Sequence, residues 1–241
     1  MHSPTQFQMR WNTALGLVCL LLLSSCVTPE KPAPVATPTP PVVTKAPEAA
    51  NARRYRIAAD QSTLHVLVYR GGTMAQLGHN HVISSATLSG EVWLDESLAK
   101  SGFNLVLPVN DLIVDDAQAR TAEGADFQAK VSDDARAGTR RNMLKPELLD
   151  GEHYPTIRLR SVKMTGMRDA PEVTTSITIK DQTHEVVVPV QLTIAAHTLK
   201  AVGQFDIRQS DFGITPFSVM MGALQVQDQF KIKFELVALT E

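Results

Sequence analysis

The chain has 241 residues, of which 44% are hydrophobic and 20% charged, and its formal charge is −2 at pH 7. This near-neutral charge excludes the general electrostatic attraction that draws proteins to nucleic acids or to anionic membrane surfaces. Two cysteines are too few for a disulfide-dense fold. We therefore expect no nucleic-acid partner and a core that forms without disulfide bonds.

The first 25 residues have the pattern of an export signal. Arg10 is their one charged side chain, and an apolar block follows at positions 14–23. This block is shorter than the roughly 20 residues that a transmembrane helix needs. A basic start, a short apolar block and small residues after it are typical of a secretory signal peptide.

The signal ends in Leu23-Ser24-Ser25-Cys26, which resembles the lipobox of bacterial lipoproteins. In those proteins the cysteine is acylated and becomes the mature N-terminus, so lipidation of Cys26 is predicted. An ordinary secretory signal with an incidental cysteine is the alternative. Val27 stands where an aspartate would retain the protein at the inner membrane. We therefore expect a lipid-anchored envelope protein on the periplasmic face of the outer membrane.

Processing at this point would leave the folded part without a thiol. Cys19 would leave with the signal and Cys26 would carry lipid, which excludes a disulfide, a cysteine metal site and a cysteine nucleophile. The signal contains one basic and no acidic residue, so 22 basic and 25 acidic side chains remain, a charge of −3.

Residues 26–52 are predicted to be a tether that starts at the lipidated cysteine. Proline fixes φ and removes an N–H donor, so neither a helix nor a sheet forms well where prolines are frequent. Such a segment is extended, at about 3.1 Å per residue, and would separate residues 53–241 from the membrane. The prolines are Pro29, Pro32, Pro34, Pro38, Pro40, Pro41 and Pro47.

From residue 53 onwards, apolar side chains recur at every second position, the pattern of strands with one buried face. The clearest case alternates apolar with charged side chains: Phe230, Lys231, Ile232, Lys233, Phe234, Glu235 and Leu236. In two segments the expected outer face includes Leu67, Tyr69 and Trp93. About eight strands are predicted in this way: 64–69, 87–94, 103–109, 156–160, 173–179, 186–194, 199–208 and 230–236.

One helical segment is predicted between these strands. Asp133 or Asp134 could cap a helix that continues towards Met143, and Gly151 could mark its end. Three leucines would then pack the segment over one end of the sheet: Leu144, Leu148 and Leu149.

Many antiparallel strands with little helix indicate either a sandwich or a closed barrel. Small residues on the apolar faces would leave a cavity inside a barrel of about eight strands, whereas in a sandwich they would only bring the sheets closer. The small positions in question are Ala86, Gly90, Ala201 and Gly203. The periodicity leaves both architectures open.

The folded part resembles the YceI-like family of polyisoprenoid-binding proteins. The resemblance implies an all-β, eight-stranded, antiparallel, lipocalin-like barrel with a helix at one end. It also implies a deep apolar tunnel for an isoprenoid chain, in proteins that are mostly periplasmic. The resemblance depends on the order and spacing of these sequence segments: Tyr55-Arg56-Ile57, Arg141-Asn142-Met143-Leu144, Leu148-Leu149-Asp150, Tyr154-Pro155-Thr156-Ile157, Ile177-Thr178-Ile179-Lys180, Val188-Pro189-Val190 and Arg208-Gln209-Ser210-Asp211-Phe212-Gly213-Ile214.

We therefore predict a binding protein without a required cofactor, whose ligand is a polyisoprenoid or quinone-type lipid. No GxSxG, GxGxxG or GxxxxGK[ST] motif is present, and we expect no enzymatic activity. The oligomeric state, including a homodimer, stays open. The residues predicted to line the tunnel are Val66, Val68, Leu88, Val92, Leu105, Leu107, Leu159, Ile177, Phe205 and Phe234.

Two further hypotheses come from different classes of protein. His79 and His81 lie two positions apart, so on a strand their imidazoles would share one face and could bind one metal, with His65, Glu91 or a distant residue as a third ligand. Histidines of a loop that bond to the backbone are the structural alternative. The other hypothesis is a ligand-free scaffold barrel, whose interior would be filled by side chains.

Overall fold

A computed structural model describes residues 51–240 of the chain. The predicted signal peptide, Cys26 and the predicted tether up to residue 50 lie outside the described residues and stay predictions. Among residues 51–240, no helix is both long enough and apolar enough to span a membrane.

The described part consists mainly of strands, which belong to one antiparallel sheet, and two α-helices. The helices are α1 (Ala117–Ala122) and α2 (Asp133–Met143). The strands are β1 (Arg53–Ile57), β2 (Thr63–Gly71), β3 (His81–Ser84), β4 (Ser89–Leu94), β5 (Gly102–Pro108), β6 (Ile113–Val114), β7 (Thr156–Gly166), β8 (Pro171–Ile179), β9 (Gln182–Ile194), β10 (Thr198–Arg208), β11 (Ser218–Val219) and β12 (Leu224–Thr240).

Eight of these strands close into a barrel. Hydrogen-bonded neighbours follow the order β1-β4-β5-β7-β8-β9-β10-β12, and the end of β12 returns to β1, where Tyr55 pairs with Thr240. The earlier part of β12 pairs with β2, so β1 and β2 lie one after the other along the same side of that long strand. This closure confirms the predicted eight-stranded antiparallel barrel and excludes the sandwich.

The helical segment differs from the prediction in its details. The N-cap of α2 is Ser132, whose hydroxyl accepts a hydrogen bond from the Ala135 amide at 3.2 Å, so the predicted aspartate caps are wrong. Asp133 and Asp134 lie in the first turn, where their negative charges interact favourably with the positive end of the helix dipole. The helix ends at Met143, and a series of turns separates it from Gly151.

A second departure is on the outer surface of β2 and β3. Leu67 lies on the predicted outer face but is buried there with Val82 and with Ala119 of α1. Tyr69 packs at the edge of this cluster, with its ring centroid 5.6 Å from that of Phe127. Residues 115–127 therefore cover the outside of the barrel here, and β2 is apolar on both faces.

Candidate functional site

The inward faces of the strands enclose a cavity of about 360 Å³. This volume lies within the range of about 300–1,000 Å³ that is typical of small-molecule sites. The lining is almost entirely apolar. It includes all ten residues predicted to line a tunnel: Val66, Val68, Leu88, Val92, Leu105, Leu107, Leu159, Ile177, Phe205 and Phe234.

The strand register explains how residues distant in sequence form one wall. Leu105 of β5 is opposite Leu159 of β7, which in turn is opposite Ile177 of β8. On the other side of the barrel, Phe205 of β10 aligns with Ile232 of β12 and then Val66 of β2. Because alternate strand residues point to the same face, such rows repeat along the barrel and make the lining continuous.

The small residues contribute less to the cavity than expected. Ala201 does line it, but Ala86 is an exposed residue of a bend. Gly90 has a φ of +137°, and a Cβ there would lie 2.1 Å from a backbone oxygen of β5. Gly203 is opposite Phe234, and a Cβ at Gly203 would lie 2.6 Å from that ring. These two glycines therefore allow close packing and do not create open space.

The two ends of the cavity differ in polarity. Thr139 and Asn142 of α2 join the lining together with Arg208 and Gln209 at the end of β10 and His81 at the start of β3. The register places the last two groups at the same level of the barrel: Arg208 pairs with Gln229 of β12, and His81 pairs with Val68 of β2, which in turn pairs with Phe230, the neighbour of Gln229. The end of the cavity at α2 can therefore accept a polar group, while the remainder accepts an apolar chain.

Trp93 was not predicted as a lining residue, since it falls on the expected outer face of its strand. In the structure it is 6% exposed and belongs to the cavity lining. The neighbouring Gly102 gives the indole room, because a Cβ there would lie 2.5 Å from the ring. Outside the predicted signal, which contains Trp11, this is the one tryptophan of the sequence, and it provides a spectroscopic reporter of the cavity.

A second cluster of polar side chains lies where the chain enters β3. The His79 and His81 rings are in edge-to-face contact, with centroids 4.5 Å apart. Asp115, which directly follows β6, brings a carboxylate next to them, and His81 Nδ1 is 2.6 Å from its Oδ2. One ring nitrogen of each histidine and one carboxylate oxygen lie within 4.8 Å of one another.

The predicted third ligands lie elsewhere. His65 Nδ1 hydrogen-bonds with Glu123 Oε1 at 2.7 Å, and Glu91 forms an ion pair with Arg54 at 3.3 Å. Neither His65 nor Glu91 therefore lies beside the histidine pair, and the distant residue that does is Asp115. Its distance of 34 residues from His81 hides the relationship in the sequence, and only the pairing of β3 with β6 brings the two together.

Asp115 is fully buried and held by several donors. Its Oδ1 accepts the Val82 amide at 3.0 Å and the Arg120 guanidinium, and Oδ2 faces His81. Burial acts to raise the pKa of this carboxyl, but the hydrogen bonds from His81, Val82 and Arg120 and the charge of His81 outweigh it and lower the pKa below its ordinary value. These bonds therefore hold the Asp115 side chain in one position and favour its ionised form.

His79 has a different environment. Burial, followed by repulsion from His81, lowers the pKa of His79, which favours the neutral imidazole. Its Nε2 is shielded from solvent and has no hydrogen-bond partner among residues 51–240. Buried polar atoms are nearly always paired in folded proteins, so this nitrogen is an exception that calls for a ligand or a structural reason.

Glu123 forms a third polar group, on the outer surface of β2 and β12. Its Oε2 accepts a hydrogen bond from Lys233 at 2.6 Å, and its Oε1 is bonded to His65. Burial acts to raise the pKa of Glu123, but the Lys233 and His65 hydrogen bonds outweigh it and hold the pKa below its ordinary value. These hydrogen bonds connect Glu123, which directly follows α1, to β2 and β12 in the barrel wall.

Comparisons with known proteins agree with this architecture. The chain matches the YceI-like domain over residues 55–238. BcnA of Burkholderia cenocepacia superposes with a TM-score of 0.57 at 18% identity, over 75% of this chain and 98% of BcnA. A polyisoprenoid-binding domain from Saccharophagus degradans superposes with a TM-score of 0.50 at 10% identity, over 78% of this chain and 98% of that domain. None of the curated proteins matched the sequence. The match across most of its length shows that this chain belongs to the YceI-like domain family.

Proposed function

We propose that the barrel binds one long apolar lipid, of polyisoprenoid or quinone type, in its central cavity. The observation that carries this proposal is the continuous apolar lining of a cavity of about 360 Å³ inside a closed barrel. A related fold in the comparisons is described as polyisoprenoid-binding, which supports the same ligand class. The scaffold alternative requires an interior filled by side chains, and the cavity argues against it.

The energetics favour a tail over a compact ligand. Each 100 Å² of apolar surface that leaves water contributes about 2.5 kcal/mol, before the costs of association and of ordering the chain. A long tail can follow the rows of apolar residues, while its polar end stays near Asn142, Arg208 and Gln209 at the α2 end. Because the contacts are mostly apolar, the affinity would change little with salt concentration.

The proposed cellular role is that of a carrier or store, or a stress-related lipid-binding protein, and not that of an enzyme. Acylation at Cys26 would hold the protein on the periplasmic face of the outer membrane. The proline-rich tether would let the barrel reach the membrane that supplies the lipid.

Native mass spectrometry of residues 53–241, purified without detergent, tests this function. We expect an additional mass that corresponds to one lipid per chain, and extraction with organic solvent should release a prenyl or quinone-type compound. Protein stripped of lipid should regain the complex when a polyprenol or a long-tailed quinone is added. A protein that is empty on purification and also fails to bind both added lipids would contradict the proposal.

A further inference from the structure

The cluster at the start of β3 has the composition of a metal site. Its three donors are the imidazoles of His79 and His81 and the carboxylate of Asp115, all within 4.8 Å of one another. Two imidazoles and one carboxylate form a donor set that binds zinc and other divalent first-row metals, with a further coordination position open to water or a ligand.

An alternative explanation accounts for only part of this cluster. Asp115 and Arg120 form a buried ion pair, and Arg120 also donates to the carbonyl oxygens of Asn80 (2.8 Å) and Ala129 (3.0 Å). These bonds fasten the loop before β3 to the segment around α1, and His81 adds one more bond to the carboxylate. None of them uses His79.

His79 is therefore the residue that points to a ligand. Its Nε2 is buried without a hydrogen-bond partner among the described residues, and its ring lies against that of His81. A purely structural cluster would gain nothing from placing an unpaired imidazole nitrogen here, whereas a metal ion would satisfy it.

We propose that His79, His81 and Asp115 bind one divalent metal ion of the zinc class. The ion would replace the hydrogen bond between His81 Nδ1 and Asp115 Oδ2, which are 2.6 Å apart. Ligand atoms about 2.1 Å from a tetrahedral ion lie roughly 3.4 Å apart, so these two atoms separate by about 0.8 Å on binding. Arg120 keeps its bond to the other carboxylate oxygen and orients the ligand, as supporting residues around metal sites commonly do.

Metal binding at this site would not require a bound lipid. The site is nevertheless close to the cavity, because His81 also lines the polar end of the cavity. The proposal does not require the lipid, and each can be tested without the other.

Calorimetric titration of residues 53–241 with Zn²⁺, in a buffer free of chelators, tests the proposal. We expect one ion per chain, and an absorption band in the visible region when Co²⁺ is used in its place. His79→Ala removes no hydrogen bond of the described structure, so the variant should fold as the wild type does without metal and bind Zn²⁺ at least about tenfold more weakly.

His197→Ala provides the matched control. His197 is an exposed histidine near the β9–β10 turn, 3.3 Å from the Thr240 hydroxyl, and its loss should leave Zn²⁺ affinity unchanged. The proposal is overturned if the wild type binds less than one ion per chain at micromolar protein, or if the two variants lose affinity equally. Retained lipid binding by His79→Ala would separate this result from any failure of the proposed function.

Discussion

Substituting Ala201 by leucine places new carbon atoms directly into the proposed lipid path. Ala201 lies on β10 between Leu192 of β9 and Leu236 of β12, and all three line the cavity. The wild-type methyl group is the smallest side chain in this row. A leucine would extend into the open space and compete with the lipid tail for it, while the empty protein would gain buried apolar contacts.

The size of the effect follows from the number of carbons displaced. Leucine has three more carbons than alanine, and each methylene of tail returned to water costs about 0.8 kcal/mol. The loss is therefore about 2.4 kcal/mol, or about 50-fold in Kd. A flexible tail can shift to recover some of these contacts, so we expect a loss of about 10- to 50-fold. The Tm of the lipid-free protein should stay the same or rise.

Quenching of Trp93 fluorescence by a long-tailed quinone provides the assay, because this residue lines the cavity and is the only tryptophan in residues 53–241. Val202→Leu is the matched control. Val202 neighbours Ala201 on the same strand but is 38% exposed on the outer face, so its enlargement should not affect the titration.

Either of two results would refute this reasoning. Binding by Ala201→Leu within twofold of the wild type would show that the tail does not pass this level of the barrel. A similar loss in both variants would show that the change acts through the sheet and not through the cavity.

Three further substitutions test the packing and the electrostatics. Glu123→Gln should lower stability by about 1–2 kcal/mol at pH 7, since Glu123 is 6% exposed and bonded to a partly exposed Lys233. Because folding lowers the pKa of Glu123, this difference should be complete above pH 4.5, its ordinary value, and disappear as the pH falls below it. Phe127→Ala should cost about 3–5 kcal/mol in chemical denaturation without weakening lipid binding, because the ring is 2% exposed and packs outside the barrel. Gly203→Ala should cost about 1–3 kcal/mol, since its Cβ would meet Phe234 and a backbone oxygen.

Each of these predictions has a result that contradicts it. A stability difference for Glu123→Gln that persists unchanged at pH 3 would exclude the carboxylate charge as its origin. Weakened lipid binding by Phe127→Ala, at a temperature where the variant is folded, would mean that the outer cluster shapes the cavity. An unchanged denaturation midpoint for Gly203→Ala would show that Phe234 can move aside freely.

Alternation of apolar and polar residues placed all ten predicted lining residues on faces that line the cavity, although it missed Trp93. Leu105, Leu159 and Ile177 were assigned from their own strands, and the register aligns them in one row. The alternation could not distinguish a barrel from a sandwich, because closure depends on the pairing of β1 with β12 at opposite ends of the domain. The family resemblance provided that step.

The errors in prediction share a physical cause. Leu67 lies on its predicted outer face but is covered there by the region around α1, whereas Trp93 was assigned outward and belongs to the cavity lining beside Gly102. Similarly, Asp115 joins His81 through pairing between distant strands, which no local spacing encodes. Patterns within a strand therefore identify its faces, while the partners of those faces depend on tertiary structure.

The manner in which β12 closes the barrel has a consequence for how the protein folds. Tyr55 and Thr240, paired at the closure, are 185 positions apart in the chain (240 minus 55). Contacts of such long range are slow to form, because the entropy of the intervening chain must be lost before they stabilise anything. During synthesis, β1 and β2 remain without their common partner until β12 has emerged. The cavity can therefore close only after β12 has paired with both strands.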